Sequence, residues 1–190
     1  MRIISGKFKN KKIFFPNNLK TRPLKDSVRE NIFNILDHSN NLNIIIKNSN
    51  VLDFYSGSGS FGLECISREA SKVFFIENDF EALKNLKKNI TNLNSENKTV
   101  LFGKNVSDFI KNLDTKIFNK KFDIVFFDPP YKNQNYLELI KDIRKTNILS
   151  EHHILIIHRE TNTDQSLGKY LNIVETRIYG RSQIFFGKLS

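Results

Sequence analysis

From residue 51 to residue 158 the apolar positions follow two alternating rhythms. Five short, nearly continuous apolar runs have the length and the β-branched or aromatic content of buried strands: VLDFY (51–55), KVFFIE (72–77), TVLFG (99–103), FDIVFF (122–127) and HILIIH (153–158). Between them, apolar residues recur every three or four positions, in SFGLECISREA (60–70), 79–94, VSDFIKNL (106–113) and 135–145. Within 79–94, Phe80, Leu83, Leu86, Ile90 and Leu93 fall in helical register behind Asp79, an N-cap residue type. This alternation predicts an α/β fold, a Rossmann-like, doubly wound parallel sheet with helices on both faces. The closing runs NIVETRIYG and SQIFFGKL, separated by Arg181, predict an antiparallel hairpin at the sheet edge.

The first 45 residues have a different pattern. RIISGKF and KKIFF, joined by Lys9 and Asn10, predict a basic β-hairpin. KDSVRENIFNILD (25–37) predicts a helix with Val28, Ile32, Ile35 and Leu36 on one face. The chain therefore divides into a small hairpin-and-helix extension, 1–45, and an α/β domain, 46–190.

Charge sharpens that division. The 190 residues carry a net charge of +10, and 22 of the 30 basic residues are Lys. An AT-rich genome explains a lysine excess, but it would spread that excess along the chain. Residues 1–34 hold nine basic residues (Arg2, Lys7, Lys9, Lys11, Lys12, Lys20, Arg22, Lys25 and Arg29) against Asp26 and Glu30, which is +7 of the +10. A local basic field suits a polyanion such as nucleic acid. The single cysteine, Cys65, excludes an internal disulfide framework and a cysteine zinc site, and the natural reading is a reducing cytoplasm. The start, MRIISGKFKNKK, is too charged for the apolar core of a signal peptide, and no apolar run is long enough to span a membrane. His38, His152, His153 and His158 show no metal-ligand spacing, so no metal is expected; they read as surface or strand-end histidines.

Candidate chemistry sits at the strand ends. DFYSGSGSFG (53–62) contains Gly57, Gly59 and Gly62, a G-x-G-x-x-G spacing that alone suggests a dinucleotide or merely a tight turn. Asp53 argues against a dinucleotide, because a fixed carboxylate at the strand end repels a pyrophosphate. It welcomes a ligand with a cationic centre and an ammonium group, as in S-adenosylmethionine. Ser56, Gly57 and Gly59 would then let the backbone approach the cofactor, and Glu77, closing the second strand, would accept from the ribose hydroxyls. Asn105, after the third strand, is a candidate for the adenine edge, although Asn also suits a helix N-cap.

The fourth strand ends in Asp128, Pro129, Pro130 and Tyr131. Prolines lack N–H donors and hold the preceding residues extended, so this lip presents acceptors. A carboxylate and a proline carbonyl that take the hydrogens of an exocyclic amino group favour a tetrahedral nitrogen, whose lone pair then points at a sulfonium methyl. Tyr131 offers a ring face for a base pulled from its stack.

On these residues the chain resembles the amino-group methyltransferases of the class I S-adenosylmethionine-dependent fold. More narrowly it resembles the bacterial 16S ribosomal RNA guanine-N2 methyltransferases of the RsmD family. The resemblance rests on MRIISGKFKNKKI, TRPLKDSVRENIFN (21–34), VLDFYSGSGSFGLE, VFFIEND, FDIVFFDPPY and the late IYG. It implies a seven-stranded sheet with a reversed last strand, S-adenosylmethionine as cofactor, and an N-terminal element that contacts RNA through Arg2, Lys7, Lys9, Lys11 and Lys12. It implies ligand contacts for Arg22 and Arg29, Arg22 at the cofactor and Arg29 at RNA. The implied substrate is one guanine of 16S rRNA in a small-subunit assembly particle; separately, a monomer is expected. Leu24 stands where the family usually has Thr, and Arg181 where it usually has an acid. Three other readings compete: a DNA adenine-N6 methyltransferase, for which the chain lacks a large target-recognition insertion; a nicotinamide oxidoreductase; and an inactive RNA-binding module.

Overall fold

The computed structural model describes residues 1–16, 24–114, 118, 120–130, 135–161 and 167–189. Its elements are α1 (Asp26–His38), β1 (Asn50–Phe54), α2 (Ser60–Ser67), β2 (Lys72–Glu77), α3 (Phe80–Asn92), β3 (Thr99–Gly103), α4 (Val106–Lys111), β4 (Phe122–Phe127), α5 (Tyr136–Lys145), β5 (Leu149–Glu160), β6 (Asn172–Tyr179) and β7 (Ser182–Lys188). The strands form one seven-stranded sheet in the order β3-β2-β1-β4-β5-β7-β6. β1 to β5 pair in parallel, and β7 runs antiparallel between β5 and β6. The order reverses between β1 and β4, so the loops after these two strands open at the point where such sheets bind ligands. Among the described residues, no helix is long and apolar enough to cross a membrane.

The sheet separates two cores, and strand periodicity assigns each side chain to one of them. Val51, Val73, Phe75, Ile124, Phe126, Ile154 and Ile156 pack on the side of α1, α2 and α3. Leu52, Phe54, Val125, Phe127, Leu155 and Ile157 pack on the side of α4 and α5. On the first side Phe33 of α1 stacks on Phe61 of α2 with centroids 5.1 Å apart, and Phe61 stacks on Phe126 of β4 at 4.1 Å. This pile of rings fixes both helices against the switch point.

Two helical faces differ from the pattern expected from apolar spacing. The buried face of α1 is Val28, Arg29, Ile32, Phe33 and Leu36, with Ile35 only partly buried. In α3 the inward residues are Ala82, Leu86, Asn89 and Ile90, and Phe80 is 75% exposed. Asp79 does cap α3, its side chain accepting from the Ala82 N–H at 2.9 Å. A buried Asn and a buried Arg took inward positions that apolar counting assigns to other residues.

At the N-terminus a short antiparallel pairing joins Arg2 with Lys12: the Ile3 N–H donates to the Lys11 carbonyl at 2.9 Å, the Ile13 N–H to the Met1 carbonyl at 3.1 Å, and the Asn10 N–H to the Ile3 carbonyl at 2.9 Å. The turn that this pairing closes also bonds to α2. The Ile4 and Ser5 N–H groups donate to the Glu64 carboxylate at 2.7 and 2.9 Å, and the Lys7 and Phe8 N–H groups donate to the Ser67 carbonyl and hydroxyl. Phe14 is held on both sides by Asn89, which accepts from its N–H at 2.7 Å and donates to its carbonyl at 2.9 Å. Ile3 and Ile13 are buried in the core shared with α2 and the sheet.

Candidate active site

A cleft of about 790 Å³ opens over the ends of β1, β2 and β4. It is large enough for a nucleoside-sized cofactor and part of an acceptor. Its walls include Asp53, Gly57, Glu77, Asn105, Asp128 and His158. Phe15, Leu24 and Lys25 close it from the N-terminal segment.

The loop after β1 is shaped by acids on neighbouring elements. Tyr55 turns the chain with φ 55°, a left-handed conformation rare for a non-glycine residue. The Ser56 N–H donates to the Ile76 carbonyl at 3.2 Å. Gly57, at φ 55°, donates its N–H to Glu77 Oε2 at 2.7 Å, and a Cβ added there would meet nothing within 4 Å among the described residues. Gly59 precedes α2 in the left-handed region, at φ 82°. At Gly62 the need is close approach: an added Cβ would lie 2.4 Å from Phe75 Cε1 and 2.7 Å from Val73 Cγ1.

Asp53 is 1% exposed; its Oδ2 accepts from the Gly62 N–H at 3.0 Å. Its Oδ1 is buried and, among the described residues, has no hydrogen-bond partner. Burial pushes this carboxyl well above the ordinary range; the Gly62 N–H opposes the shift, and the nearby Asp128 and Glu77 charges add to it. An acceptor oxygen without a donor, beside a glycine whose Cβ position is open, fits a ligand that brings its own positive charge and N–H groups. Glu77 takes three backbone donors: Gly57 on Oε2, and Asn78 and Asp79 on Oε1 at 2.8 Å each. A further donor would therefore meet chiefly the second lone pair of Oε2, and the same acid also shapes the glycine loop. Asn105 caps α4, with Oδ1 accepting from the Ser107 N–H at 2.9 Å, a contact that uses the amide oxygen and not the amide nitrogen.

The acceptor lip lies on the same side of the sheet as Asp53. Along β4, Ile124 and Phe126 face the first core and Val125 and Phe127 the second; the period of two carries Asp128 to the first side and Pro129 to the other. Asp53 pairs in register with Phe126, two residues before Asp128. The neighbouring β5 places Ile156 opposite Phe126, and His158 follows two residues later on the same face. His158 Nδ1 stands 2.8 Å from Asp128 Oδ1, with the ring only 5% exposed. The next residue, Arg159, donates to the carbonyls of Pro129 and Pro130 at 3.4 Å each, and its guanidinium lies over the Tyr136 ring at 4.3 Å.

His158 thus sits inside the cleft, contrary to its reading as an ordinary strand-end histidine. Neither it nor Arg159 belongs to a local motif. The available signal was register: strands of similar length running in parallel put residues 128 and 158 side by side. Asn89 was missed for a similar reason, since it joins Phe14 to the Ser58 carbonyl, which it reaches at 3.0 Å.

The basic candidates divide. Arg2, Lys7, Lys9, Lys11 and Lys12 are exposed around the bridge and the turn it closes. Arg29 is not a surface residue. Its side chain is fully buried, paired with Asp26 at 3.0 Å and donating to the Arg2 carbonyl. Burial lowers its pKa, while Asp26 and Glu64 hold the charge. An RNA contact for Arg29 is therefore replaced by an internal one, in which it fastens the N-terminal strand to α1. Arg22 and Tyr131 lie outside the described residues.

Strand order, cleft and cofactor-fitting residues together define a class I, S-adenosylmethionine-dependent methyltransferase. The solved structure of yhhF from Escherichia coli, assigned as a methyltransferase, superposes with a TM-score of 0.83 at 26% identity, covering 100% of this chain and 98% of that one. The chain belongs to the family described as Conserved hypothetical protein 95, whose model matches residues 1–188. Ribosomal RNA small subunit methyltransferase D of Buchnera aphidicola from Acyrthosiphon pisum is 38% identical over 153 residues, 77% of this chain and 74% of its own. The protein of the same name from Escherichia coli K12 is 31% identical over 84% of this chain and 75% of its own.

Proposed function

We propose that this chain methylates the exocyclic N2 of a guanine in 16S rRNA of the small ribosomal subunit, using S-adenosylmethionine. The observation that carries the reading is that Asp53 and Asp128 share one cleft on one face of the sheet. The relatives named ribosomal RNA small subunit methyltransferase D support the RNA substrate.

When bound, S-adenosylmethionine supplies an electrophilic methyl on a sulfonium. Asp53 answers the positive charge, Glu77 the ribose and Asn105 the adenine, with Ser56, Gly57 and Gly59 forming the close backbone wall. Arg22, by residue type, adds a cationic contact on the cofactor. On the acceptor side, the Asp128 carboxylate and the Pro129 carbonyl take the two hydrogens of N2. That geometry turns the nitrogen lone pair toward the cofactor side, and one N2 proton leaves to Asp128 or water after transfer. Positioning and fixed acceptors do the work, so no strong base is required. Pro130 keeps the lip extended, and Tyr131 supplies a ring for the extruded base. Residues 1–45 act as the RNA-contacting extension through Arg2, Lys7, Lys9, Lys11 and Lys12, as a monomer on an assembling small-subunit particle in the cytoplasm.

The test is to incubate the protein with methyl-labelled S-adenosylmethionine and, separately, immature small-subunit particles, naked 16S rRNA and duplex DNA, and then to map the modified base. Label on N2 of one guanine in 16S rRNA is expected. Label on DNA adenine, or on no nucleic acid, overturns the reading.

A further inference from the structure

We propose that His158 is a positioning residue for Asp128, holding the carboxylate in the one rotamer that serves the acceptor amine. The proposal rests on the methyl-transfer reading above and deepens it. Three observations carry it. His158 Nδ1 lies 2.8 Å from Asp128 Oδ1. The imidazole is buried on β5, a strand that pairs directly with β4, so its backbone is fixed relative to the lip. Asp128 itself is only partly buried, with its side chain 24% exposed, and it lies just past the last residue of β4.

The chemistry follows from donor and acceptor counting. An ionised carboxylate only accepts, so this contact requires a proton on Nδ1; both the Nδ1–H neutral ring and the imidazolium meet that requirement. With Oδ1 engaged by the ring, Oδ2 is the oxygen left to take a hydrogen of the acceptor amine. A carboxylate free to spin about its χ2 angle presents either oxygen at many angles and loses alignment with the Pro129 carbonyl. Arg159, one residue on and on the opposite face, grips the Pro129 and Pro130 carbonyls. Adjacent residues of β5 thus hold both acceptors of the lip, one from each side of the sheet.

The experiment uses the full chain and its His158→Leu and His158→Asn variants. The Asn amide nitrogen falls near the place of Nδ1, so this variant restores the donor without the ring. Single-turnover methyl transfer to immature small-subunit particles is measured at saturating S-adenosylmethionine, alongside cofactor affinity by calorimetry. His158→Leu is expected to slow transfer about 100-fold with cofactor affinity unchanged, the loss typical of a misplaced reacting group. His158→Asn is expected to recover most of the rate. A Leu variant as fast as wild type, an Asn variant as slow as Leu, or a loss confined to cofactor affinity overturns the proposal. Should His158→Leu fail to fold, the ring's 15N spectrum in the wild-type protein decides: a proton on Nδ1 is expected, and a neutral ring protonated only on Nε2 overturns it. Wild-type protein that transfers no methyl to particles, rRNA or DNA defeats the methyl-transfer reading itself, and this proposal with it.

Discussion

The two loops that face each other across the cleft are held by opposite means. After β1, the backbone supplies the donors and acids supply the acceptors: Gly57 donates to Glu77, and Gly62 to Asp53. After β4, residues 128–130 offer acceptors and side chains of β5 hold them: His158 Nδ1 pairs with the Asp128 carboxylate, and Arg159 donates to both proline carbonyls. In the first loop one buried oxygen, Asp53 Oδ1, has no hydrogen-bond partner among the described residues. The second has no N–H on its prolines to offer, so its carbonyls stay turned toward donors. On the proposed reading, one side receives a positive ligand and the other an amine.

That contrast can be broken residue by residue. The largest effect is expected at the acceptor side. Asp128→Ala should lower methyl transfer about 100- to 1000-fold, the range seen when one preorganised polar group is removed, while cofactor affinity by calorimetry stays near wild type. A loss of cofactor binding instead would place Asp128 in the first loop's work.

Asp53→Asn should do the reverse, weakening S-adenosylmethionine binding about 10- to 100-fold, as for a lost hydrogen bond to a charged group. Its pH behaviour is also distinctive. Because the folded-state pKa of Asp53 is raised, the folded protein holds this proton more tightly than the unfolded chain does. Ligand-free stability contributed by the group is therefore present below the ordinary carboxyl range and is lost as pH rises through the raised value. A cationic ligand prefers the ionised form, so cofactor affinity should climb over that same rise. Asp53→Asn should flatten both slopes in thermal melts and in calorimetry at several pH values.

Gly62→Ala sharpens the structural half of the comparison. The added methyl meets Phe75 and Val73, and overpacking of this kind costs about 1–3 kcal/mol, read as a lower midpoint in urea. The smallest effect is expected outside the cleft. Replacing Lys7, Lys9, Lys11 and Lys12 with Ser should leave stability unchanged and flatten the salt dependence of RNA binding. The log–log slope should fall by about 0.7 for each single-strand phosphate that these lysines no longer neutralise. An unaltered slope would remove the N-terminal turn from the RNA surface.

The first loop was legible because its parts are close in sequence or repeat with a known period. Asp53, Gly57, Gly59 and Gly62 lie within ten residues, and Glu77 closes the next strand. The lip's acid and prolines were legible for the same reason. The alternation at the start says nothing of Glu64 and Ser67, whose side chains take amides of the turn.

By itself, then, the sequence determined the alternation of strands and helices, the glycine turn, the acidic lip and the basic start, since each follows from residue type and local spacing. The tertiary structure alone decided that His158 and Arg159 hold the lip, that Asn89 ties the N-terminal segment to the glycine loop, and that Arg29 turns inward. Those contacts depend on how strands and helices pack, through which residues 27 and more apart become neighbours. No short-range pattern encodes that proximity; packing creates it.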